Sequence, residues 1–189
     1  MKSDSKIRVL VICALAVVIN VVFGSVVSML SIPLLFLDTL GTIFIASTYG
    51  MLYGILTGVA TNLLMGAISG PTSIPFALVN IAVAIVVALM AKNGLSLVKA
   101  VITGVLLAFI CPLIGAPIRL ALFGGFTGSG TDIVILALKG AGQELISAVY
   151  WGAVAGNFVD KIVSCILVSL ILKNKQIVKL VQVINSQNP

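Results

Sequence analysis

Histidine is absent from this 189-residue chain and charge is scarce: eleven Lys and Arg with five Asp and Glu make up 8% of the residues. Without imidazole, and with Asp4 of the five carboxylates in the N-terminal tail, general acid–base and metal-assisted catalysis have few candidate groups. No Ser or Cys has a plausible base beside it. No phosphate-cradling Gly-x-x-x-x-Gly-Lys-Ser/Thr is present, and no paired aspartates suited to lipid head-group transfer appear. The expectation is a protein that is not an enzyme and has no cofactor. The three cysteines, Cys13, Cys111 and Cys165, are far apart, and each sits inside an apolar stretch. They read as small hydrophobes and not as a metal-ligand cluster.

The chain is instead rich in apolar residues, with 60% AVILMFWYC and a mean hydropathy of +1.28. A soluble domain is roughly half apolar and about a quarter charged, so sixteen charged side chains cannot coat a globule of this size. Lipid must be the solvent for most of the chain. At about 20 residues per crossing, six spans take about 120 residues and leave turns, one longer loop and no room in these residues for a soluble catalytic domain. The net charge of +6 does not indicate nucleic-acid binding, because the basic residues lie in short groups beside apolar runs and form no basic face. The start, Lys2, Lys6 and Arg8, resembles that of a signal peptide. The apolar run from Val9 to Leu30 exceeds an h-region of about 7–15 residues and lacks a well-placed cleavage site, so it reads as a retained first span.

Breakers divide the chain into six spans, at about 7–30, 33–49, 51–68, 74–91, 95–118 and 156–173. Pro33 opens the second, since proline starts a helix but does not continue one. Gly50 allows a hairpin into the third, Ser69 to Ser73 breaks before the fourth, and Lys92-Asn93-Gly94 stops it. Pro112 and Pro117 predict a kink in the fifth. From Arg119 to Phe158, six glycines interrupt two modest helical patterns, Thr131 to Lys139 and Gln143 to Ala155, which reads as a long loop with short helices at the interface. Asp160 and Lys161 mark the start of the last helix, where an anion suits the dipole. Six spans place Lys2, Lys6, Arg8, Lys92, Lys99, Lys173, Lys175 and Lys179 on one side, against Arg119, Lys139 and Lys161 on the other. Because basic residues accumulate in cytoplasmic loops, the expected fold is an all-α membrane protein. It is a single compact domain of six transmembrane helices in the cell membrane, with both termini cytoplasmic.

Polar side chains within spans are costly and are kept for pathways, pockets or helix contacts. At ~1.5 Å per residue, Asp38, Asn62 and Asn80 lie at matching depth, roughly 8–9 Å from the outer ends of their spans. Asn20 also falls in an outer half, Arg119, Gln143 and Glu144 belong to the rim, and the inner halves carry Ser and Thr at most. This asymmetry predicts a cavity open to the outside and sealed below by apolar packing. For the asparagines taken singly, a bond to a neighbouring helix is the more common use. Asp38 needs a donor such as Thr42 or Arg119. Gly50, Gly54, Gly58, Asn62 and Gly66 recur every four residues, as do Ala148, Gly152 and Gly156, and such stripes mainly serve close packing within a bundle. Tyr49 and Tyr53 fit an interfacial belt, while Tyr150 and Trp151 could stack on a flat ligand.

Six short helices, the stretch FLDTLGTIFI from Phe36 to Ile45, the junction NLLMGAISGPTSIPFALVN from Asn62 to Asn80 and the closing NFVDKIVSCILVSLIL from Asn157 to Leu172 together resemble the S components of energy-coupling factor transporters. The resemblance implies a membrane subunit that captures a scarce vitamin from outside the cell. Such a subunit docks on a coupling membrane subunit with two cytoplasmic ATPases and topples to release its cargo inward. It also implies binding near the outer surface by the later helices and outer loops. The expected substrate residues are Asp38, Asn62, Asn80, Arg119, Glu144, Tyr150 and Trp151. The family's first helix carries an Ala-x-x-x-Ala docking motif; here Ala14 is followed by Val18 and Ala16 by Asn20, which makes Ala14 and Ala16 the docking candidates. A small polar ring compound suits Asp38 and Arg119 better than a flavin. The rival readings are a scaffold or sensor bundle that binds nothing small and a stand-alone carrier.

Overall fold

A computed structural model describes residues 2–186, and among them every regular element is helical. The elements are α1 (Lys2–Met29), α2 (Leu40–Tyr49), α3 (Met51–Ser69), a 3-10 turn (Pro71–Phe76), α4 (Ala77–Met90), α5 (Leu97–Phe123), α6 (Thr131–Gly140), α7 (Leu145–Ile171) and α8 (Lys175–Ser186). Five helices are long and apolar enough to cross a membrane: α1, α3, the 3-10 turn with α4, α5 and α7. The ten-residue length of α2 gives it only about 15 Å, half of a hydrocarbon core.

Three expectations are corrected here. The second span is not helical from residue 33: residues 30–39 are non-helical, and Ser31, Leu34 and Leu37 have positive φ angles of 48°, 61° and 53°. The last span does not begin near 156. Of the expected helix from Gln143 to Ala155, Leu145 to Ala155 forms the first part of α7, one continuous 27-residue helix, so only α6 remains of the two short loop helices. Asp160 and Lys161 therefore lie in the middle of α7 and not at a helix start, and Lys161 is no loop charge. The fifth span, for its part, extends past 118, since α5 stays helical through both prolines to Phe123. There Gly124, at φ 59°, closes it by donating its N–H to Leu120, and Gly125 donates to Arg119.

In lipid, helices associate through close packing more than through apolar burial, and the glycines show where. A methyl group at Gly41 would overlap the backbone of Ala16, which fits α1 against α2. At Gly54 it would come within 2.7 Å of Ala46 Cβ, at Gly58 within 2.9 Å of Asn80 Cβ, and at Gly104 within 2.6 Å of Ile162 Cα. The stripe on α3 thus seats α2 and α4, while Gly152 and Gly156 seat α6. α2 ends up enclosed by α1, α3, α4 and α7, with Gly41, Thr42, Ile43, Ile45 and Ala46 buried. A core of Ile43, Val83, Val87, Leu107, Cys165 and Val168 fills the half of the bundle nearer the 92–96 and 172–174 turns. The other half is hollow.

Candidate functional site

The hollow half holds a cavity of about 440 Å³. Its walls come from the C-terminal parts of α1, α3 and α5, the non-helical segment 30–39, the start of α4, the 127–130 turn and the first half of α7. An irregular backbone at membrane depth is tolerated only where protein buries it or where it lines a wet cavity. Here residues 34–39 are partly or fully buried and the segment lines the cavity, while residues 30–33 are exposed. Ile32, Leu35, Phe36, Asp38 and Thr39 face the cavity, and Asp160 Oδ1 accepts the backbone N–H groups of Phe36 and Leu37, each at 2.8 Å. A left-handed leucine costs about 1–2 kcal/mol, and at Leu37 the bond to Asp160 offsets that cost.

Asp160 also anchors the site's buried charge. Its Oδ2 accepts from Lys161 Nζ at 2.6 Å; the same ammonium donates to Thr39 Oγ1 at 3.0 Å and lies 3.6 Å from Asp38 Oδ1. The Asp160 side chain is 0% exposed and that of Lys161 3%, whereas Asp38 is 51% exposed. The sequence reading missed Lys161 as a wall residue. The available signal was two adjacent charges inside an otherwise apolar run from 145 to 171, which the glycines at 152 and 156 obscured.

The asparagines form the floor. Asn20 Nδ2 donates to Thr42 Oγ1 and Thr61 Oγ1, both at 3.0 Å, and Asn20 Oδ1 accepts from Gly41 N. Thr42 donates to Asn80 Oδ1 at 3.0 Å, Asn80 Nδ2 to Asn62 Oδ1 at 2.7 Å, and Asn62 Nδ2 to the carbonyl of Ser73 at 3.0 Å. This relay ties α1, α2, α3 and α4 together and takes up all of Asn20. Among the described residues, one N–H each of Asn62 and Asn80 has no partner, and both residues line the cavity. The structure therefore gives these amides the helix-to-helix bonding that is their common use, with one donor each left over.

Arg119 lines the opposite wall and is engaged: Nε donates to the Gly125 carbonyl at 2.7 Å, and Nη2 contacts Ser129 and is ion-paired with Asp132. Asp132 in turn accepts from Gly128 N at 2.7 Å. These bonds fold the 124–130 turn against the segment 30–39, where Gly130 backs onto Pro33. Phe36, Phe76 and Phe123 give the cavity apolar surface, with the last two rings 6.4 Å apart.

Of the expected substrate residues, the structure brings Asp38, Asn62, Asn80 and Arg119 to one cavity. Glu144, Tyr150 and Trp151 do not line it: Glu144 is exposed just before α7, and Tyr150 packs edge-on to the outward-facing Trp151, with centroids 5.3 Å apart. The α7 helix begins eleven residues earlier than expected, which turns this pair away. Ala16 is buried against Gly41 and cannot meet a partner, while Ala14 faces outward. Among the described residues, no three His, Cys, Asp or Glu side chains gather as a metal site. No protein-family model, curated protein or solved structure matches the chain.

Proposed function

We propose that this protein is a solute-capturing membrane subunit, similar to the S components of energy-coupling factor transporters, that takes a small water-soluble vitamin-like compound from outside the cell. The observation that carries this reading is the break at residues 30–39, an irregular segment between two apolar helices that walls a cavity of about 440 Å³. Helix breaks that line a cavity are where membrane transport proteins bind solute. With residues 30–39 and α2 counted as one crossing, the chain crosses six times and both termini fall on one side. That side carries Lys6, Arg8, Lys92, Lys99, Lys173, Lys175 and Lys179 and is therefore cytoplasmic. The cavity then opens outward, above an apolar seal of Ile43, Val83, Val87 and Leu107.

Release inward needs energy that these residues do not supply, and in this reading it comes from a coupling membrane subunit with two cytoplasmic ATPases. Ala14, on the outward face of α1, is the docking position retained. The test is a thermal-shift and native-mass-spectrometry screen of vitamins and their precursors on the purified protein. One compound should bind with a Kd in the nanomolar to micromolar range. Asp38→Ala should weaken that binding, and Gly115→Leu, which fills the cavity beside Val79, should abolish it. A blank screen, or binding untouched by both variants, would end this reading.

A further inference from the structure

Resting on the capture reading, the charge balance of the cavity wall narrows the class of cargo. Two cations and three carboxylates lie on or directly behind the wall: Lys161 and Arg119 against Asp160, Asp132 and Asp38. Asp160 matches Lys161 at 2.6 Å, and Asp132 matches Arg119. Asp38 is left over. Its Oδ1 is 3.6 Å from an ammonium already committed to Asp160 and Thr39, and this atom has no hydrogen-bond donor among the described residues. That oxygen is itself buried, and it is the remainder of the side chain that is half exposed on the cavity wall.

We infer that the cargo is an organic cation, an ammonium or cationic heterocycle on a flat, partly apolar body, and that Asp38 receives the charge. In a wall of low polarity an unmatched carboxylate attracts a cation far more strongly than it would in water. An anionic cargo would face Asp38 with both cations already taken, and a neutral one would leave Asp38 unmatched. Phe36, Phe76 and Phe123 offer ring faces to the body of the cargo and cation–π contacts to its charged end. The spare N–H groups of Asn62 and Asn80 suit acceptors on the ring.

The test uses matched triplets that carry an ammonium, an alcohol or a carboxylate on one ring system, beginning with tryptamine, tryptophol and indole-3-propionate. Binding to the purified full chain is measured by calorimetry across a library of such triplets. The ammonium members should bind at least about tenfold more tightly than their partners, and Asp38→Asn should reduce that binding by about thirtyfold or more, as for loss of one member of a desolvated charge pair. Asp38→Ser, scored beside it for thermal stability, separates loss of charge from loss of fold, and must show the same loss of preference. If alcohol or carboxylate members bind as tightly as the ammonium and Gly115→Leu abolishes that binding, the charge inference is wrong while capture stands. If no member of any triplet binds and the vitamin screen is blank as well, capture itself is overturned and the inference falls with it.

Discussion

Replacing Asp160 tests whether one carboxylate holds the non-helical segment 30–39 in its shape. In Asp160→Asn an oxygen can still accept from Phe36 and Leu37, but the negative charge 2.6 Å from Lys161 is gone. Removing one partner of a buried ion pair costs about 3–5 kcal/mol. Asp38, at 3.6 Å, can move toward the ammonium and offset part of this, so the low end, about 3 kcal/mol, is expected. Asp160→Ala additionally orphans two backbone N–H groups at about 1 kcal/mol each, for a total of about 5 kcal/mol. Lys161→Met combined with Asp160→Asn removes both charges and keeps the loop's acceptor, so it should return to within about 1 kcal/mol of the wild type. The assay is reversible unfolding from mild detergent into SDS, followed by circular dichroism, with amide exchange read at residues 34–38. Equal losses for Asn and Ala would refute the loop-tether argument. A double variant no better than Asp160→Asn would refute the charge argument.

Asn20→Ala removes three bonds across α1, α2 and α3 and should cost about 2 kcal/mol in the same assay, since single intramembrane bonds average about 0.6 kcal/mol. Gly54→Leu should unfold the purified monomer, because its side chain would enter Ala46 and Ala84; a stable monomer that loses only a binding partner would instead favour a docking role for the stripe. Asp132→Asn should free the 124–130 turn and raise its amide exchange at least about tenfold, with stability changed by less than about 2 kcal/mol. A cysteine at Ser31 should react with an impermeant maleimide from the side opposite Lys173, while the buried Cys13, Cys111 and Cys165 stay unmodified; labelling from the Lys173 side would invert the orientation.

Much of the helix plan can be read locally, because the Gly50 hairpin, the Gly70-Pro71 break and the Lys92-Asn93-Gly94 stop act through their own backbone. The depths of Asn62 and Asn80 also follow from helix rise alone, whereas Asp38 reaches the same cavity from a segment that is not helical. Residues 30–39 are different. Ile32, Leu34, Leu35, Phe36 and Leu37 are apolar enough to read as helix, and what unwinds them is a carboxylate some 123 positions away. Glycine misleads in the opposite direction at Gly152 and Gly156, which look like interruptions but are continuous helix, small because Ile135 and Thr131 press against them. With a last helix expected from about 156, Lys161 falls near a helix start and Tyr150 and Trp151 fall in the outer loop, so one boundary accounts for most of the site residues that differ.

The bond from Asp160 to the segment before α2 has a consequence for biogenesis. A nascent chain emerges from its amino end, so α1 to α4 can exchange their amide and hydroxyl bonds while the remainder is still being made. The partner that shapes residues 30–39 arrives only with α7. Until then the stretch has neither its anchor nor a reason for its left-handed turns, and the chamber has no finished wall. Any polypeptide cut short before that residue thus lacks the carboxylate that holds residues 30–39 in their shape, and the enclosure is a property of the late-made part of the chain as much as of the early one.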